Sequence, residues 1–120
     1  MKQADMMYLR RAIALAQSSR DEGQRPFGAL VVLDAEVLAD SGRRPSGGRD
    51  ATAHCEIRIV RAVAQQHPPA ALARATLYAS AEPCAMCAGA VYWSGIGRVV
   101  FGLSEAKLRA LTGNHPENPT

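Results

Sequence analysis

The sequence predicts an α/β fold in which helices pack on the faces of a sheet that is partly parallel. The order of elements carries that expectation: a leading amphipathic helix, two strands, and then helix, strand, helix, strand along the rest of the chain. A second observation bounds it. With 120 residues, 48% of them hydrophobic, the chain has material for one core, so residues 1–120 are expected to form a single domain.

Residues 4–19 read as the first helix, because Leu9, Ala12, Ile13 and Ala16 recur at helical intervals while Arg10, Arg11 and Gln17 fall elsewhere. Gly23 closes that unit. Gly28 to Leu33 is a continuous apolar run with two valines, more strand than helix, and Val37 to Ala39 follows a tight Asp34-Ala35-Glu36 turn as a pairing strand. Residues 42–50 form a glycine-rich, basic loop. A helix over about 53–66 comes next, with Asp50 or Thr52 as its cap and Ile57, Val60 and Ala64 on its inner face, and His67-Pro68-Pro69 stops it. Thr76 to Ala79 is a strand, Cys84 to about Ser94 a helix closed by Gly95 and Gly97, and Arg98 to Phe101 a fourth strand. Ser104 is placed to cap a last helix, Glu105 to Leu111, and the tail that follows lacks apolar content.

The chemistry concentrates in Ala53-His54-Cys55-Glu56 and Glu82-Pro83-Cys84-Ala85-Met86-Cys87. Cys84 and Cys87 stand three apart at the start of a helix, where such a pair shares one face. His54 adds an imidazole, giving the nitrogen and sulfur donors that zinc prefers. Three ligands leave a fourth position for water, whose pKa the ion lowers towards neutrality. Glu56, two residues from the imidazole, is then a proton carrier rather than a ligand. Hydrolytic deamination is the reaction this combination serves.

His54-Cys55-Glu56 with Pro83-Cys84-Ala85-Met86-Cys87 resembles the H-x-E…P-C-x-x-C signature of the zinc-dependent cytidine and deoxycytidylate deaminase superfamily. Pro26-Phe27-Gly28-Ala29-Leu30-Val31-Val32 is similar to its first strand, and Ala88 to Trp93 with Arg98 to Gly102 to the segment after the cysteines. Pro26-Phe27-Gly28-Ala29 and Tyr92-Trp93 look most like bacterial guanine deaminases and related aminoheterocycle deaminases; tRNA adenosine deaminases share Cys84–Gly89 and Ile96–Gly102 nearly as well.

The resemblance implies a three-layer α/β/α sandwich of cytidine deaminase type, with a mixed sheet of four to five strands, an antiparallel first pair, and the two zinc helices side by side on one face. It implies Zn2+ held by His54, Cys84 and Cys87, a zinc-bound hydroxide as nucleophile, and Glu56 as the shuttle that carries its proton to the ring nitrogen and the departing ammonia. Phe27, Ala53 and Trp93 are expected at the substrate, with Glu82 beside the ligands. The substrate implied is a small heterocyclic amine of guanine-like kind. An adenosine in tRNA, turned out of its stack, is the alternative, and an inactive zinc-stabilised binding domain is the reading from another class. A homodimer is expected. Relatives of this kind continue with another helix and often a fifth strand, so the C-terminal part is read as short, either naturally or by truncation.

Two positions depart from the family pattern. Cys55 stands where a small residue, commonly alanine, is usual; a helix turns its side chain about 100° from that of His54, so it is read as a packed thiol rather than a ligand. Arg43 stands where an asparagine usually meets the substrate, replacing an amide with a donor-only cation. That points away from the usual base.

A net charge of +3 permits nucleic acid without requiring it. Three cysteines, two in a C-x-x-C, make a poor disulfide framework and a good metal set. The first twenty residues hold Asp5, Arg10, Arg11 and Arg20 and no uninterrupted apolar stretch, so neither a signal peptide nor a membrane span is expected and the location expected is cytoplasmic.

Overall fold

A computed structural model describes residues 2–42, 50 and 52–104. The elements are α1 (Gln3–Asp21), β1 (Ala29–Leu33), β2 (Glu36–Asp40), α2 (Cys55–Gln66), α3 (Pro69–Leu72), β3 (Thr76–Ala81), α4 (Ala85–Ser94) and β4 (Arg98–Leu103). The four strands form one mixed sheet in the order β2-β1-β3-β4. β1 pairs antiparallel with both β2 and β3, and β3 pairs parallel with β4. The parallel portion is thus confined to the one pair that α4 connects.

Alternation along the central strands divides the core between two faces. Leu30, Val32, Tyr78 and Val100 meet Leu9 and Ala12 of α1. Ala29, Val31, Leu77 and Ala79 meet Ile59, Val60 and Val63 of α2, Leu72 of α3 and Val91 of α4. This is the expected α/β/α sandwich, with α2 and α4 in one layer and α1 in the other. Leu30 and Leu77 are wholly buried, each contributing about 2 kcal/mol through lost apolar exposure.

The buried stripe of α1 runs through Asp5, Leu9, Ala12, Ala16 and Ser19, while Ile13, expected inside, is 40% exposed. The two alanines serve the close approach of backbone. A β-carbon on Gly28 would lie 2.3 Å from the Ala12 carbonyl oxygen and 2.6 Å from the Ala16 nitrogen, so only glycine lets α1 cross the start of β1. On α2 the inner position is Val63, and Ala64, expected there, faces outwards.

Two further expectations are corrected. Neither Asp50 nor Thr52 caps α2; its N-cap is His54, with no side-chain cap bond. Asp50 Oδ1 instead accepts from the Thr52 N–H at 2.9 Å and the Thr52 hydroxyl at 2.6 Å, the local turn that aspartate offers in competition with capping. Pro68-Pro69 does end the preceding helix, yet Pro69 also opens α3, because a first-turn proline loses no hydrogen bond.

Asp5 is the buried anchor between α1 and the sheet. Its carboxylate accepts from both Arg98 guanidinium nitrogens, at 2.8 and 2.6 Å, and from the Tyr78 hydroxyl at 2.6 Å. The Arg98 hydrogen bonds, then that from Tyr78, hold its pKa well below the ordinary 3.8. Burial, with Asp5 adding to it, pushes the Tyr78 hydroxyl up to about 12. Because the folded value of Asp5 is the lower one, its stabilisation is complete above about pH 4 and is lost as pH falls through the folded value. Asp5→Asn is expected to lower the melting temperature at neutral pH and to flatten its decline in acid, as measured by thermal melts across pH.

Candidate active site

Two helix N-termini meet at one point. His54 is the N-cap of α2 and Cys84 the N-cap of α4, and both have extended backbone just before the first turn, which aims their side chains across the gap between the helices. Cys87 follows one turn into α4 and is wholly buried. Both the Cys84 and Cys87 sulfurs lie 3.6 Å from His54 Nδ1. The three donor atoms are within 4.8 Å of one another.

That spacing suits zinc. Bond lengths near 2.3 Å to sulfur and 2.05 Å to nitrogen, at a tetrahedral angle, place the two donors about 3.6 Å apart. The donor set also matches in kind, with one imidazole and two sulfurs. Burial, then the charge of Arg25, lowers the pKa of His54 and keeps its ring neutral, as a ligand must be. Burial raises the Cys87 thiol far above its ordinary range, and Glu56 and Cys84 add to the rise. Cys87 must therefore surrender a proton to bind a metal, which makes metal uptake favour higher pH.

Glu56, in the first turn of α2, is buried at 7% exposure and stands outside the three-donor set. Its Oε1 accepts from the Cys55 thiol at 2.9 Å. Cys55 is buried within the core on the α2 face, the packing role expected of it. Burial and the neighbouring Glu56 raise its pKa steeply, so it stays a thiol.

The other expected residues are placed as follows. Phe27 is half-buried and packs against the core on the same side of the sheet as α2 and α4. Ala53 is half-buried, and its N–H donates to the Asp50 carbonyl at 3.1 Å. The backbone N–H of Glu82 donates to the Leu103 carbonyl at 2.7 Å, carrying the β3–β4 pairing up to the cysteine segment. Trp93 is 83% exposed and so no part of the core, its ring edge-on to Tyr92 with centroids 5.2 Å apart. It lies two residues past buried Val91, more than half a turn round the helix from the packed face. Arg43, with the rest of the glycine-rich loop through residue 49, lies outside the described residues, as does the last helix expected over 105–111.

Sequence reasoning missed Arg25. Its Nη1 lies 3.1 Å from His54 Nε2, and its guanidinium carbon is 5.3 Å above the centre of the Phe27 ring. A cation two residues before an aromatic, ahead of a strand that begins on the side of the site, was the available signal. No periodicity marks such a loop position.

Comparison with known proteins agrees with this geometry. The family model described as the cytidine and deoxycytidylate deaminase zinc-binding region matches residues 2–103. A Schizosaccharomyces pombe protein named probable cytosine deaminase is 44% identical over 120 residues, covering 99% of this chain and 72% of the relative. A tRNA-specific adenosine deaminase of Agrobacterium fabrum is 36% identical over 100 residues, covering 83% of this chain and 66% of the relative. The crystal structure of guanine deaminase from Bacillus subtilis superposes with a TM-score of 0.78 at 29% identity, covering 93% of this chain and 71% of that one. The relatives are named deaminases, hydrolases acting on C–N bonds, and the matched zinc-binding region, residues 2–103, includes the paired N-termini of α2 and α4. The chain belongs to the cytidine and deoxycytidylate deaminase family.

Proposed function

We propose that the protein hydrolyses the exocyclic C–N bond of a free nucleobase or related heterocycle, guanine-like in its amidine ring, giving the ring carbonyl and ammonia. One observation carries the reading: a buried carboxylate, Glu56, stands beside the donor set of His54, Cys84 and Cys87 instead of within it. A purely structural zinc site would want a fourth protein ligand and would have no use for that carboxylate.

His54 Nδ1 and the two cysteine sulfurs would hold zinc, which would supply a water acidic enough to serve as nucleophile near neutral pH. Glu56 takes a proton from the attacking water, delivers it to the ring nitrogen next to the amine-bearing carbon, and then assists departure of ammonia. Phe27 offers an aromatic face to a flat ring. Arg43 offers N–H donors alone, which suit an acceptor edge such as a ring carbonyl.

The free-base reading is supported by the names of the relatives that act on cytosine and guanine, the first of which aligns with nearly the whole chain. The tRNA relative favours a second reading, an adenosine in a polynucleotide. Ammonia release from guanine, ammeline, cytosine, adenosine, cytidine and a tRNA anticodon stem-loop tests both. Turnover of a free base that is insensitive to salt supports the first; turnover of the stem-loop alone, falling steeply with salt, supports the second.

We also propose a homodimer formed through α4, whose Met86, Tyr92 and Trp93 are exposed at 37%, 74% and 83%. Aromatic residues so exposed on the helix that carries two ligands suit a second copy of the chain. Trp93→Asp is expected to shift the protein from dimer to monomer in sedimentation equilibrium.

A further inference from the structure

We infer that the Cys55 thiol is a positioning residue for the proton carrier: its S–H bond to Glu56 Oε1 fixes the carboxylate in the orientation from which Oε2 can work. The inference rests on the reading of Glu56 as that carrier.

Glu56 is 7% exposed, and a carboxylate withdrawn from water is costly unless donors replace the water it has lost. Cys55 provides one at 2.9 Å. The thiol is itself 8% exposed and packed in the core with Ile59, Val60 and Val63 of the same helix, so the donor sits on a rigid part of the fold. A glutamate side chain has three rotatable bonds, and a fixed donor at one oxygen removes much of that freedom before substrate arrives.

Cys87 also bonds Glu56 through its thiol, so the two sulfurs have to be told apart. A cysteine binds a metal as the thiolate and then has no proton to donate. Cys55 is outside the donor set and keeps its own. In the zinc-loaded protein the Cys55 thiol is therefore the sulfur donor that persists at Glu56. It approaches Oε1 from the core side, where Cys55 packs with Ile59, Val60 and Val63.

Infrared spectroscopy tests the bond without any substrate. The chain has three cysteines, so with Cys84 and Cys87 on zinc the remaining S–H stretching band belongs to Cys55. The band is expected at the lowered frequency of a bonded thiol, absent in Cys55→Ala, and shifted upwards in Glu56→Ala. An unshifted band in Glu56→Ala would overturn the inference. Kinetics with cytosine and guanine as probes test the consequence: Cys55→Ala is expected to lower kcat about five-fold with KM unchanged, the worth of one net hydrogen bond. Cys55→Ser, which keeps a donor of similar reach, is expected to recover most of the loss. Wild-type kcat in Cys55→Ala, or a serine variant as slow as the alanine one, would overturn it. Turnover surviving in Glu56→Ala would remove the carrier reading and this inference with it, whereas an inactive Glu56→Ala with an unmoved band would overturn the positioning role alone.

Discussion

Glu56→Gln is expected to lower kcat by roughly 10²–10⁴-fold while zinc content, folding and melting temperature stay close to those of the parent protein. Glutamine keeps the size and polarity of the side chain but cannot take up a proton at neutral pH. Because Glu56 lies outside the donor set, its replacement leaves His54, Cys84 and Cys87 to hold the metal. Stopped kinetics with zinc bound, checked by metal analysis on the same sample, is the combination that assigns proton transfer to this residue. A variant that lost zinc along with activity would instead make Glu56 a ligand, against the spacing seen here.

Cys87→Ala is expected to act on everything at once. Its sulfur is wholly buried and 3.6 Å from His54 Nδ1, so removal takes one of three protein ligands and leaves a hole in the first turns of α4. Loss of an outer partner of a ligand already costs 10–100-fold in metal affinity, so loss of the ligand itself is expected to cost more than about 100-fold. Zinc stoichiometry, ammonia release and melting temperature should all fall together. Chelation of the parent protein should reproduce the same losses, reversed by added zinc. Since the thiol must shed a proton to bind, the parent protein's zinc affinity should rise with pH.

The two variants separate the chemistry from its scaffold, and the same division describes what the sequence made legible. His54, Glu56, Cys84 and Cys87 could be found because donor type and spacing are properties of the chain itself: a C-x-x-C at a helix start brings two sulfurs to one ion wherever that helix is packed. The strands were legible from apolar runs, and the division of the core followed from alternation along β1 and β3. What depended on packing between distant segments was not legible. Ile13 has the right residue type and period, but the close approach of α1 to β1 leaves room for Ala12 and Ala16 and turns Ile13 out; the packed stripe of α2 passes through Ile59, Val60 and Val63, which turns Ala64 outwards. Asp5 is held by Tyr78 and Arg98, more than seventy residues away, a partnership that no local pattern shows. Asp50 was a plausible cap by composition, and its own local turn with Thr52 won. Pro69 was read for the helix it stops and not for the one it starts. Arg25 depends on a loop bringing it across to His54, which no local pattern encodes.

Hydrolysis with Glu56 as proton carrier takes the new carbonyl oxygen of the product from water. It is tested most directly by running the reaction in water enriched in heavy oxygen, with the substrate that the ammonia panel identifies, and weighing the product. The new ring carbonyl is expected to carry the heavy isotope in full, with one ammonia leaving for each, and Glu56→Gln to form both only at its roughly 10²–10⁴-fold lower rate. Ammonia released without the isotope in the product, or isotope incorporated at the parent rate by Glu56→Gln, would contradict it.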